Sequence, residues 1–411
     1  MKHQIYFYQK GLKLGFLILF VLPLLYSCDL FSKDDDPKLE QLELQISSNY
    51  LTAGKVDRIS LEVSGRNDDG SFVPAPEYSL LLNGEDQGQV TSFNLSESGM
   101  YEVWAQNGSI SSAKDTIYVR EDTTYEHHEY HVIFHIVHDG EEIGQGYNLS
   151  QQAIDYQMSL LSNVFEDPDI SLSENSVYPH LSFKLATVDP NGNKLNEPGI
   201  HRLERPTANS TVLFENWMWD TYWDPDYYVN IWVGDTQTGY SWGIYPTLDC
   251  GADQLDGIFC TSENDPQELE GIALEKDNLW EGNWVLPHEI GHYLGLFHVF
   301  ASVCTGDPDY LKDTRFYNRT SYENSAGSNR RTPCGGGIEY TSYNIMDYWN
   351  QPLGGRDLSF DQRSRIRHVV EFGKFRARLN PETGSPRGMS QFKPEAAKFK
   401  TSESLRKRME F

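Results

Sequence analysis

Between Leu39 and Val119 apolar and polar residues alternate over a series of short runs, ELQISS, RISLEVSG, YSLLLNG, GMYEVWAQNG and KDTIYVR, each bounded by turn residues. Alternation with period two marks strands with one buried face, and such runs at short spacing predict a small antiparallel β-sandwich over residues 39–120. The stretch REDTTYEHHE reads as a linker, and after it the pattern changes. YHVIFHIVHDG is an apolar strand. In NLSQQAIDYQMSLLSNVFED, Ile154, Met158, Leu161 and Val164 recur at helical spacing behind Ser150, a helix N-cap. HLSFKLATV and YYVNIWVGD supply further strands, so residues 121–380 mix strands and helices as an α/β or α+β domain does. LSFDQRSRIRHVVEF predicts a closing helix opened by a capping box, Ser359 with Gln362. Residues 381–411 are polar and mildly basic and read as a flexible tail.

The beginning of the chain follows another pattern. Lys2, Lys10 and Lys13 precede LGFLILFVLPLLYSC, an apolar run too short and one-sided for a stable membrane span, which reads as an export signal. Its end, LYSC, resembles the lipobox of bacterial lipoproteins, which implies cleavage before Cys28 and lipidation of that thiol. Residues 1–28 are then a lipoprotein signal and 29–38 a tether. The acidic run in DLFSKDDDPK is similar to the surface-export signal of Bacteroidetes-type lipoproteins, which implies an outer-membrane location in a Gram-negative cell with the lipid as the only membrane contact. In the sandwich region, LTAGKVDRISLEVSG and SESGMYEVWAQNG resemble bacterial immunoglobulin-like domains. That region carries no catalytic constellation and reads as a spacer or binding module.

Composition adds two constraints. At 411 residues and 38% hydrophobic, the chain can fold as two or three domains with proper cores. Its formal net charge is -26, and the stretch Glu121–Leu286 carries nearly all of it, with 30 Asp and Glu against 5 Lys and Arg. That balance speaks against nucleic acid as a partner. Besides Cys28 there are four cysteines, Cys250, Cys260, Cys304 and Cys334, in a chain bound for an oxidising compartment. Two disulfides are the default. Three pairings are open, and neighbour with neighbour, Cys250 with Cys260 and Cys304 with Cys334, is favoured because each then staples one local loop. The histidines His127, His128, His131, His135 and His138 present no convergent trio on a strand, since His131 and His135 share a face that His138 does not. They read as structural.

HEIGHYLGLFH, residues 288–298, is different. On a helix His288 and His292 lie one turn apart on one face and can reach a single metal ion. Glu289 points about 100° around the helix, toward a water on that metal rather than the metal itself, as a general base would. Gly295 falls where the helix must stop and turn back, which lets His298 approach as the third ligand. Three protein ligands leave the fourth position of a tetrahedral zinc open to water, whose pKa the metal lowers from about 15.7 toward about 7. Pro287 directly precedes the first histidine and cannot donate a helical hydrogen bond, so the helix is expected to start close to it.

H-E-x-x-H-x-x-G-x-x-H is similar to the signature of the metzincin metallopeptidases. That resemblance implies a methionine turn, which NIMDY at residues 344–348 supplies, with Met346 beneath the metal and Tyr348 near the metal or the reaction's oxyanion. Among metzincins the chain resembles the pappalysin (cytophagalysin) family over about Tyr130 to Arg378, through HEIGHYLGLFHVF, Cys304, TPC at 332–334, NIMDYW, VIFHIVH and LLSNVFED. Calcium binds to some members, and the acidic loop Asp307, Asp309 and Asp313 is a candidate site that matches no fixed loop spacing. The resemblance implies a multidomain zinc endopeptidase acting on extracellular proteins, an immunoglobulin-like sandwich followed by a metzincin domain. The alternative is a cell-surface adhesion protein that uses the sandwich on a metzincin platform; a hydrolase of some non-peptide bond would share the same site.

Overall fold

The computed structural model describes residues 37–384 apart from 56–57, 167–175, 206–213, 252–253, 262–268, 280–281, 307–308, 321–328, 349–354, 375–376 and 378. The signal, Cys28 and residues 385–411 lie outside the described residues.

The amino-terminal region is all β. Its strands are β1 (Leu39–Ile46), β2 (Tyr50–Thr52), β3 (Arg58–Asn67), β4 (Phe72–Val73), β5 (Ser79–Leu82), β6 (Glu85–Asp86), β7 (Ser92–Asn94), β8 (Gly99–Asn107), β9 (Ile110–Ser111) and β10 (Asp115–Arg120). They form two sheets, one ordered β1-β3-β4 with β7 also on β3, the other β2-β10-β8-β5-β6 with β9 on β8. The alternation in RISLEVSG puts Ile59, Leu61 and Val63 on the inner face, where they meet Leu80, Val103 and Ile117 of the other sheet in one apolar cluster.

The second region is built on a mixed sheet. Its elements are β11 (His128–His138), α1 (Gln151–Phe165), β12 (Leu181–Leu185), β13 (Ile200–Glu204), α2 (Phe214–Asp220), β14 (Val229–Gly234), β15 (Trp242–Gly243), β16 (Leu248–Asp249), β17 (Cys260–Thr261) and β18 (Ile272–Glu275). They are followed by α3 (Val285–Tyr293), β19 (Phe300–Ala301), β20 (Tyr317–Asn318), β21 (Arg330–Arg331), β22 (Tyr340–Thr341) and α4 (Phe360–Phe372). The sheet runs β12-β11-β14-β18-β15, with β13 also paired to β11. All pairings are parallel except the edge strand β15, which lies antiparallel to β18. Strand β11 is buried on both faces, as a near-continuous apolar run in a parallel sheet should be. Its even positions Tyr130, Val132, Phe134 and Ile136 join the core of α1 and α3, while Ile133 and Val137 face a second apolar layer that includes Trp223 and Trp232.

The helix termini follow the sequence. Ser150 caps α1 by accepting a hydrogen bond from the Ala153 N–H, and Ile154, Leu161 and Val164 are buried. Ser359 and Gln362 form the reciprocal capping box of α4. The packed chain extends to Gly384, four residues beyond the boundary at 380. Pro381 is buried, Glu382 accepts a hydrogen bond from Thr187, and Gly384 lies against Tyr227. Among the described residues no helix is long and apolar enough to cross a membrane.

Candidate metal centre and active site

Helix α3 supplies two histidines and then ends within three residues. Pro287 sits in its first turn, where backbone N–H groups have no intrahelical acceptor and a missing donor is harmless. The helix thus starts three residues ahead of His288. At the other end the Leu296 N–H bonds to the Gly291 carbonyl and the Gly295 N–H to the His292 carbonyl, both at 2.9 Å. That is a Schellman closure, and it requires the left-handed residue Gly295, φ 90°. The chain reverses there and brings His298 back toward the helix.

The Nε2 atom of His298 lies 3.1 Å from Nε2 of His288 and 3.1 Å from Nε2 of His292. The Nδ1 atoms point away. That of His288 lies 2.7 Å from the Ile345 carbonyl, and that of His292 lies 2.8 Å from the Leu296 carbonyl and 3.1 Å from the Tyr245 hydroxyl. Carbonyl acceptors place the proton on Nδ1 and leave the Nε2 lone pairs facing the centre. Burial holds His288 neutral, its pKa lowered to about 4, and His292 likewise, to about 3, with the neighbouring His288 adding to the effect.

A single proton on His298 Nε2 can be directed at only one of its two neighbours, so it does not account for both contacts. Two nitrogens on one tetrahedral ion at about 2.05 Å would stand about 3.3 Å apart, close to the spacing here. The donor set therefore fits a shared cation. Among the described residues these three histidines are the one cluster of possible ligands, all within 4.8 Å of one another.

Glu289 is 6% exposed, and burial raises its pKa to about 8 against the opposing effect of a hydrogen bond from the Gly243 backbone. Gly243 belongs to the edge strand β15, and a Cβ there would lie 2.2 Å from the Glu289 carbonyl oxygen. No side chain fits between strand and helix. Met346 is fully buried, and its Sδ would meet a Cβ on Gly291 at 2.4 Å, so the methionine turn packs directly on the helix between its two histidines.

Tyr348 lies beside the same centre, its ring centroid 4.9 Å from that of His298 and 5.7 Å from that of His288. Burial raises its pKa, with Glu289 contributing and Arg319, whose guanidinium is 5.0 Å from the ring, opposing. Its position is fixed by a buried ion pair. Arg331 Nε donates to Asp347 Oδ2 at 3.2 Å and Nη2 to the Tyr348 carbonyl at 3.2 Å, while Asp347 Oδ1 accepts from the Tyr348 N–H at 2.7 Å.

Both disulfides join neighbours, Cys250 to Cys260 and Cys304 to Cys334. The second ties the segment after β19 to the β21–β22 hairpin that carries Arg331. Of the acidic loop, Asp307 lies outside the described residues. Asp313 is committed elsewhere, to Arg120, Ser359 and the Asp361 N–H.

The strand histidines form no metal cluster among the described residues. His135 is buried, with Nδ1 3.0 Å from His201 Nδ1 and Nε2 3.0 Å from Asn230 Oδ1, and its ring stacks on Trp232. The pairing spacing could not show is that with His201, which arises because β11 and β13 place the two in register. Tyr245, Gly243 and Arg331 likewise carry no sequence signal for their places beside the site.

Residues 213–371 match the family model Peptidase_M43, described as pregnancy-associated plasma protein-A. An extracellular metalloprotease of Colletotrichum graminicola is 26% identical over 225 residues, 54% of this chain and 69% of that protein. One from Verticillium alfalfae is 27% identical over 188 residues, 44% of this chain and 56% of its own length. Among solved structures, mature mirolysin of Tannerella forsythia in complex with a cleaved peptide is similar with a TM-score of 0.46 and 22% identity, covering 62% of this chain and 96% of that one.

Proposed function

We propose, from the premise that the chain carries an M43-like metallopeptidase domain, that it is an exported zinc endopeptidase of extracellular proteins, held at the cell envelope by a lipid on Cys28. The observation that carries the reading is the convergence of three Nε2 atoms, two of them oriented by backbone carbonyls and kept neutral by burial. His288, His292 and His298 would hold the zinc. A zinc ion in that position supplies Lewis acidity, making water acidic near neutral pH and polarising a peptide carbonyl.

The protein's own groups do the rest. Glu289, buried on the same helix, takes a proton from the attacking water and delivers it to the leaving amine nitrogen. Tyr348 keeps its proton, because burial and Glu289 both disfavour the phenolate, and its hydroxyl is a donor for the developing oxyanion. The amino-terminal all-β region, in this reading an immunoglobulin-like sandwich, separates the enzyme from the membrane.

Two experiments test the proposal. Removal of metal by a chelator should abolish hydrolysis of an unfolded protein, and zinc at one equivalent should restore it; hydrolysis that survives chelation with no zinc bound would sink the reading. For the anchor, Cys28→Ala should release the protein from the membrane fraction and abolish labelling by a fatty-acid analogue. Retention of both would show that Cys28 is not the lipidated residue.

A further inference from the structure

A continuous series of polar contacts runs from the amino-terminal region into the metal centre. We propose that it makes Arg120, on the last strand of the β region, a positioning residue for His288. Arg120 Nη2 donates to Asp313 Oδ2 at 2.6 Å, Nη1 pairs with Asp361, and the guanidinium lies 4.2 Å from the Phe360 ring centroid. Asp313, its side chain 5% exposed, accepts from the Ser359 hydroxyl at 2.6 Å. Ser359 is the N-cap of α4, and its capping box hands the constraint to Gln362, whose Oε1 accepts from the Ser359 N–H at 2.9 Å.

Gln362 is fully buried and faces the methionine turn. Its amide pairs reciprocally with that of Asn344, at 2.7 and 3.0 Å. Asn344 Oδ1 also accepts the Met346 N–H at 2.9 Å. The peptide that ends in that N–H begins with the Ile345 carbonyl, the acceptor that orients His288. Movement of Asn344 therefore rotates the one group that aims the first candidate ligand. Partners that orient metal-binding histidines are worth about 10- to 100-fold in metal affinity.

A second contact makes α4 the common support of both halves of the centre. Arg365, one turn beyond Gln362, donates Nε–H to the Gly295 carbonyl at 2.6 Å and so fixes the turn between His292 and His298. Anything that shifts the first turn of α4 reaches all three histidines, and Arg120 is what the amino-terminal region contributes to that turn.

The inference rests on the zinc reading above, and its test separates the two. Zinc dissociation constants would be measured by chelator competition on the chain without its first 28 residues, for the wild type, Arg120→Met, Gln362→Met and the double variant. Exchange of the Met346 amide would be followed in the zinc-free protein. Gln362→Met should weaken zinc about 10- to 100-fold and Arg120→Met about 3- to 30-fold. Because both act through one series of contacts, the double variant should be no weaker than Gln362→Met alone. Arg120→Met should also speed Met346 exchange.

Should Arg120→Met fail to fold, Asp313→Asn, which keeps an acceptor for Ser359 while removing the charge that Arg120 binds, must reproduce the same pattern. A zinc affinity within twofold of wild type in the Arg120 or Asp313 variant, with Met346 exchange unchanged, overturns the proposal. Multiplicative effects in the double variant do so as well. A wild type that binds no zinc fails the site reading first, and this inference with it.

Discussion

Gly243→Ala isolates the contact between the edge strand and the helix that carries Glu289. The residue has no positive φ, so alanine is compatible with its backbone and the perturbation is purely steric. The new Cβ would lie 2.2 Å from the Glu289 carbonyl oxygen and 2.9 Å from His292 Cβ, where ordinary contact begins at 3.4 Å. Strand and helix must separate by about 1.2 Å to relieve the closer of these. The obstacle is backbone, and no rotamer change removes it. Strand β15 is the element that gives, since it is two residues long and, among the described strands, pairs with β18 alone.

That movement takes the Gly243 N–H away from Glu289 and so displaces the carboxyl assigned as the proton carrier. A displacement of about 1 Å is enough to lower activity about 100-fold. Overpacking should in addition destabilise the domain by about 1–3 kcal/mol, roughly 2–12 °C in melting temperature for a domain of this size. The assay is kcat/KM on a fluorogenic peptide at saturating zinc, with melting temperature and zinc content measured alongside. An alanine variant within threefold of wild type at an unchanged melting temperature would refute the packing argument.

Arg331→Met should destabilise the protein by about 3–5 kcal/mol, because it leaves Asp347 charged and buried without its partner. Adding Asp347→Asn should recover part of that loss in urea titrations, and no recovery would mean that the ion pair is not its source. Replacing Cys304 and Cys334 together by serine should cost about 3–4 kcal/mol from a closed loop of 30 residues, read as a lower midpoint in guanidinium. His135 and His201 have pKa values lowered by burial, so below pH 6.5 the unfolded chain binds protons that the native core refuses. Their contribution is fully present above the ordinary histidine pKa of 6.5 and is lost as pH falls through it. Stability measured from pH 7.5 to 5 should drop less steeply in His201→Leu than in wild type, and parallel slopes would contradict the assignment.

Local rules wrote much of the scaffold into the sequence. Period-two alternation located β1, β3, β5, β8 and β10, and Ser150 and Ser359 marked the starts of α1 and α4 because a cap is a contact over three residues. The spacing His288-x3-His292-x5-His298 with Gly295 was legible for the same reason, since a helical turn and a Schellman closure are both local. What stayed hidden was contact across the fold. Gly243 and Tyr245 reach α3 only because the sheet order ends at β15, and nothing in WGIY announces that neighbour. Arg331 and Arg365 are polar residues in polar stretches, and their burial follows from where Asp347 and the Gly295 carbonyl stand. His201 was overlooked because a histidine pair on adjacent parallel strands has no fixed sequence separation.

In the proposed mechanism the three histidines hold a zinc at which Glu289 moves the proton. It is tested most directly by incubating an unfolded protein with purified residues 29–411, wild type beside Glu289→Ala, and measuring zinc on both. One zinc per chain is expected in each, with cleavage by the wild type and a loss of about 100- to 10,000-fold in the variant. Cleavage by Glu289→Ala at the wild-type rate with zinc in place would contradict it.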